Sequence, residues 1–94
     1  MADTLKSLES TIRERRIGDP ALSYVAKLSQ SGRAKIAQKV GEEATEAVIA
    51  AMQGDPAKLT GEAADLIFHL LILLADGGVS LDDVFAELDR REGT

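Results

Sequence analysis

Apolar residues recur at three- and four-residue intervals along almost the whole chain, the spacing of one face of an α-helix. Leu5, Leu8 and Ile12 predict a first helix over about Asp3–Arg16. Gly18-Asp19-Pro20 interrupts the pattern: glycine suits a helix end, and Asp then Pro suit the N-cap and first position of the next helix. A short second helix is predicted from there through Tyr24, Val25 and Leu28, stopping at Ser31-Gly32. The third runs from about Arg33 to Gln53, and Gly54-Asp55-Pro56 repeats the stop-and-start signal. The fourth covers about Pro56–Asp76 and ends at Gly77-Gly78. Ser80, with Asp83 three residues on, predicts the cap of a last helix carrying Leu81, Val84, Phe85 and Leu88. No segment alternates with a period of two, so the expected class is all-α, a bundle of four to five helices with no sheet.

Composition narrows the function. Ninety-four residues, 45% hydrophobic and 29% charged, describe one small folding domain over residues 1–94. Without cysteine there is no disulfide framework, thiolate metal site or thiol nucleophile. A net charge of −5 and only three aromatics (Tyr24, Phe68, Phe85) argue against nucleic acid as a partner. The longest apolar stretch, Leu66–Ala75, is interrupted by His69 and is too short to span a bilayer. The start of the chain has no signal-peptide pattern, so a cytoplasmic protein without membrane contact is expected. With so few aromatics the core must come from close aliphatic packing of helices.

The informative residues are acidic. Glu43 with Glu46, and Glu62 with Asp65, are i,i+3 pairs on consecutive predicted helices, which puts each pair on one face. Like charges at that spacing destabilise an isolated helix, so two copies need a cause. If the chain reverses at Gly54, Glu46 and Glu62 lie level, as do Glu43 and Asp65, and the four carboxylates converge. On the third helix, Ile36, Val40, Ala44, Ala47 and Ala51 define an apolar stripe roughly 80° wide, with Glu43 roughly 20° beyond its edge. On the fourth, Glu62, Asp65 and His69 share a sector roughly 60° wide in an otherwise apolar surface. Charged helical residues are ordinarily solvated, but matched pairs set into apolar surroundings point instead to a divalent cation. An all-oxygen donor set suits Mg²⁺, with Mn²⁺ as a substitute, over zinc. Glu42 sits beside these ligands without being needed as one and is the candidate to orient or deprotonate a water.

Basic residues surround the cluster. Lys27, Arg33, Lys35 and Lys39 could meet phosphate oxygens, although Lys39 and Glu43 are also spaced for a plain surface ion pair. Tyr24 could stack on a base or pack in the core, and His69, one turn after Asp65, is expected as a hydrogen-bonded partner or packed core residue rather than a ligand. Asp76-Gly-Gly-Val-Ser-Leu-Asp-Asp lacks the acid spacing of a calcium loop. No P-loop, GxGxxG or HExxH motif occurs.

Ser23-Tyr24-Val25-Ala26-Lys27-Leu28, the run Lys35–Glu46 (KIAQKVGEEATE) and Glu62–Leu70 (EAADLIFHL) closely resemble the phosphoribosyl-ATP pyrophosphatase family. That family is the histidine-biosynthesis branch of the MazG-like all-α NTP pyrophosphatases. The EExxE and ExxD motifs mark the superfamily, and KIAQKVGEE with the SYxAKL segment marks this branch. Val25 and Phe68 depart from the Thr and Tyr usual in the family, which alters local hydrogen bonding without touching the acidic ligands. The resemblance implies Mg²⁺-dependent hydrolysis of 1-(5-phosphoribosyl)-ATP to 1-(5-phosphoribosyl)-AMP and pyrophosphate, the second step of histidine synthesis. It also implies a homodimer that completes the bundle, and a functional link to a separate phosphoribosyl-AMP cyclohydrolase. A fourth helix apolar nearly all round independently asks for such a partner. Two other readings compete: a housecleaning pyrophosphatase for free or damaged NTPs, and a non-catalytic helical dimerisation module.

Overall fold

The computed structural model describes residues 2–93, and these form five helices with no strand among them. They are α1 (Ala2–Arg15), α2 (Tyr24–Gln30), α3 (Arg33–Met52), α4 (Pro56–Asp76) and α5 (Leu81–Arg90). The all-α expectation holds; α1, α3 and α4 lie within a residue of their predicted bounds, and α5 begins at its predicted Ser80 cap.

The exception is the start of α2. Asp19-Pro20 does not open the helix; residues 19–22 form a turn in which the Asp19 carbonyl accepts the Leu22 and Ser23 N–H groups. The Asp19 carboxylate accepts from Ala21 N at 2.9 Å, a local turn closure of the kind that competes with helix capping. Ser23 caps α2 instead, its hydroxyl accepting the Ala26 N–H at 3.2 Å. That later start turns Val25, Ala26 and Leu28 inward, where all three are buried.

Helix ends elsewhere follow local chemistry. Asp55 caps α4 through the Lys58 N–H, with Pro56 in the first position. Ser80 and Asp83 form the reciprocal capping box on α5. Gly54 stands at φ +68 just beyond α3, and the Gly54 and Asp55 N–H groups return to the Ala51 and Ala50 carbonyls. Nothing lies within 4 Å of a Cβ built there, so glycine is required by the left-handed backbone and not by space. This turn sends α4 back along α3, and the two make the most extensive helix contact in the molecule.

α1 packs on α4, α2 lies against α1, α3 and α4, and α5 leans on α1. The core gathers Ile12, Val25, Leu28, Ile36, Leu71, Ile72 and Leu81, one or two from each helix. Ile12, Ile36 and Ile72 are almost fully enclosed, each worth about 1.5–3 kcal/mol of burial. The buried line on α3 ends at Ala50, while Ala51, assigned to the stripe from spacing, is exposed. Arg33 holds the N-terminal end of α3 to the C-terminal end of α4. Its Nε donates to Asp76 Oδ2 at 2.7 Å and its Nη2 to the Asp76 carbonyl at 3.0 Å. Arg16 approaches the other Asp76 oxygen at 3.6 Å. Among the described residues no single helix is long and apolar enough to cross a membrane.

Candidate active site

The antiparallel α3–α4 pair brings the predicted acids together. Glu43 from α3 and Glu62 and Asp65 from α4 each offer a carboxylate oxygen within 4.8 Å of the others. Ending the buried line of α3 at Ala50 explains the depth of Glu43: on a helical wheel it falls between Ile36 and Ala50, inside the buried sector. Its side chain keeps only 15% of its exposure. Glu62 is half-buried and Asp65 exposed, so the α4 acids line the edge of the helix pair instead of lying within an apolar surface. Glu46, one turn past Glu43, is exposed and stands outside the three-carboxylate group, near enough to Glu62 to act on its charge.

The crowding has an electrostatic signature. The Glu62 carboxyl is held above its ordinary range, first by loss of solvent and then by the negative charges of Glu46, Glu43 and Asp65. Three carboxylate oxygens this close, whose mutual charge disfavours ionisation of Glu62, form an all-oxygen set that a hard divalent cation would neutralise. The donor set therefore fits Mg²⁺ or Mn²⁺.

Beside the acids lies a groove of about 390 Å³ between α2 and α3. Tyr24, Lys27, Lys35, Lys39 and Glu42 line it, as predicted residues; Ser31 and Gln38 line it without having been singled out from the sequence. Gln38 could have been found, because it lies one turn before Glu42 on the face that also carries Lys35 and Lys39. Lys39 Nζ stands 3.7 Å from Glu43 and 3.8 Å from Glu42, so it joins the groove to the acid cluster. Lys27 and Lys35 have no carboxylate within 4.0 Å among the described residues and are open to an incoming anion. Arg33 does not line this groove: its guanidinium is taken up by Asp76.

Tyr24 lines the groove and is tied through its hydroxyl to His69 behind it. His69 is buried, and its Nδ1 lies 2.7 Å from the Asp65 backbone carbonyl. A carbonyl only accepts, so Nδ1 carries a hydrogen, and in the neutral ring Nε2 accepts from the Tyr24 hydroxyl at 2.8 Å. Tyr24 stays 49% exposed, and its ring stacks on Phe68 at 6.2 Å between centroids and 22° between planes. Tyr24 is therefore not a core residue: its hydroxyl is anchored on His69 while its ring stays half exposed against Phe68. His69 is the hydrogen-bonded neighbour expected, tying α2 to the turn that carries Asp65.

The raised Glu62 carboxyl fixes a sign. Protons favour the folded state here, so without divalent cations this group's contribution is present below about pH 4.5 and is lost as pH rises through its elevated folded value. Glu62→Gln removes that charge. In EDTA at neutral pH the variant is expected to melt above the native protein, with the difference closing in acid. A lower melting temperature at neutral pH would show that the carboxylates are not in strain.

Comparison with known proteins agrees with this geometry. The family model described as phosphoribosyl-ATP pyrophosphohydrolase matches residues 5–92. A phosphoribosyl-ATP pyrophosphatase of Rhizorhabdus wittichii is 65% identical over 94 residues, covering 100% of this chain and 89% of the relative. One from Novosphingobium aromaticivorans is 64% identical over 92 residues (98% and 86%), and one from Zymomonas mobilis 59% over 91 (97% and 85%). With its acids converging beside a cationic groove and the match running nearly end to end, the chain belongs to the phosphoribosyl-ATP pyrophosphohydrolase family.

Proposed function

We propose that this chain hydrolyses 1-(5-phosphoribosyl)-ATP to 1-(5-phosphoribosyl)-AMP and pyrophosphate, the second step of histidine biosynthesis, with Mg²⁺ held by its clustered acids. The observation that carries the chemistry is the convergence of Glu43, Glu62 and Asp65 beside a groove with two uncommitted lysines. The named relatives support the substrate.

Glu43, Glu62 and Asp65 would hold the ion, with Glu46 next to them as a fourth oxygen donor. When bound, Mg²⁺ supplies Lewis-acid neutralisation of phosphate charge. Lys27 and Lys35 take the triphosphate oxygens that carboxylates repel, and Lys39 carries positive charge from the groove to the acids. Glu42, its side chain 48% exposed at the groove's edge, orients a water and accepts its proton as the water oxygen bonds to phosphorus, the phosphoanhydride P–O bond breaks and pyrophosphate leaves. Tyr24 offers its ring to the base, and His69 holds that ring in place through the phenol oxygen.

A homodimer belongs to the same proposal. α3 leaves Val48, Ile49 and Met52 exposed, and α4 leaves Ile67 and Leu70 exposed, so the two longest helices carry apolar side chains with nothing over them. Sedimentation equilibrium is expected to give twice the chain mass, shifting toward monomer in Met52→Glu; a native protein that stays monomeric at micromolar concentration would remove this part.

The activity itself is tested by pyrophosphate release from phosphoribosyl-ATP. Glu46→Gln and Glu62→Gln are expected to lower the rate about 100-fold or more, as loss of a metal ligand does. Near-native rates in both, or turnover of ordinary dNTPs with none of phosphoribosyl-ATP, would overturn the reading.

A further inference from the structure

We infer that a second groove, across Tyr24 from the lysine groove, takes the ribose 5-phosphate end of the substrate, with Arg15 as its phosphate contact. The inference rests on the phosphoribosyl-ATP reading above and adds the feature that separates this substrate from a plain nucleoside triphosphate.

The groove has a volume of about 490 Å³ and lies between α1, the turn at residues 16–23 and α4. Ile12, Val25 and Phe68 form its apolar floor, and Glu14, Arg15 and Asp19 stand on its rim. Tyr24 lines both grooves, so its ring is their common wall. Phe68 lies three residues after Asp65 on α4, so the groove meets the stretch of α4 that carries the acid cluster, although none of the clustered acids lines it.

The distribution of free cations follows the two grooves. Among the described residues Lys6, Arg13, Arg16, Arg33, Lys39, Arg90 and Arg91 each have a carboxylate within 4.0 Å. Of the four that do not, Lys27 and Lys35 line one groove and Arg15 lines the other; only Lys58 lies elsewhere. Two cations on one side of an exposed aromatic ring and one on the other describe a ligand with a heavily charged end, a flat middle and a singly phosphorylated end. Phosphoribosyl-ATP has that form: a purine between a ribose triphosphate and a ribose 5-phosphate.

Charge also sets the direction. Glu14 and Asp19 on the rim would repel a triphosphate, yet carboxylates are good acceptors for ribose hydroxyls. The triphosphate therefore belongs with Lys27 and Lys35, and the second sugar belongs here. Size agrees, because 390 Å³ is near the lower limit of pockets that enclose a single small ligand, and this substrate exceeds ATP by a phosphorylated sugar.

Arg15 is exposed and makes no ion pair, so its replacement leaves the fold in place. Arg15→Gln is expected to raise KM for phosphoribosyl-ATP about two- to fivefold, the worth of one charged contact at a surface, with the effect on KM and not kcat. Arg15→Lys should recover part of the loss. Ribose 5-phosphate, titrated directly, should bind the native protein and lose affinity in Arg15→Gln, whereas ATP should bind both equally. An unchanged KM in Arg15→Gln, or an equal loss of ATP affinity, overturns the subsite while leaving hydrolysis intact. Absence of native turnover with Arg15-dependent ribose 5-phosphate binding overturns the hydrolytic reading and keeps the subsite.

Discussion

The apolar packing of α3 against α4, made against the repulsion of the carboxylates on their shared edge, underlies the rest of the molecule. The two helices are the longest in the chain and make its most extensive contact, and their shared edge carries Glu43, Glu62 and Asp65 with oxygens within 4.8 Å. Such a cluster opposes the packing that creates it. The packing prevails because the apolar residues of both helices, with Ile36 and Ile72 fully enclosed, drive the pair together whatever the acids prefer. The remaining electrostatic strain is then relieved by whatever positive charge enters the edge. Lys39 supplies part of it from within, and a divalent ion would supply the rest.

The smaller elements position what the acids need. α2 is only seven residues long and would not persist alone, yet it carries Tyr24 and Lys27 and is held by contacts with three helices. The Tyr24–His69–Asp65 chain of hydrogen bonds fixes it to α4 at the level of the cluster. Arg33 and Asp76 close the far end of the same pair. The groove is therefore bounded by the anchored Tyr24 at one side and by Lys27, Lys35 and Lys39 from α2 and α3.

Much of this was legible in the residues. The reversal at Gly54 follows from one glycine and one Asp-Pro pair, and helical geometry alone then sets Glu43 opposite Asp65. Ala50 replaced Ala51 because a stripe drawn from average angles cannot fix the last turn to within one residue. Asp19-Pro20 misled because the same side-chain chemistry serves a turn and a cap, and only the inward pull on Val25 and Leu28 decides between them. The fate of Arg33 was out of reach of local spacing, since its partner Asp76 is 43 residues away. The acids of α4 came out more exposed than a wheel suggests, because one chain leaves part of that helix uncovered.

The central claim is that these carboxylates form a divalent cation site, and thermal melting with Mg²⁺ titrated into metal-free protein tests it most directly. A ligand that binds only the folded state must raise the melting temperature, by an amount equivalent to about 2.7 kcal/mol at a hundredfold excess over Kd. The native protein should show a saturable rise, and Asp65→Asn should lose most of it. A melting temperature indifferent to Mg²⁺, or an equal rise in the two proteins, would contradict the account.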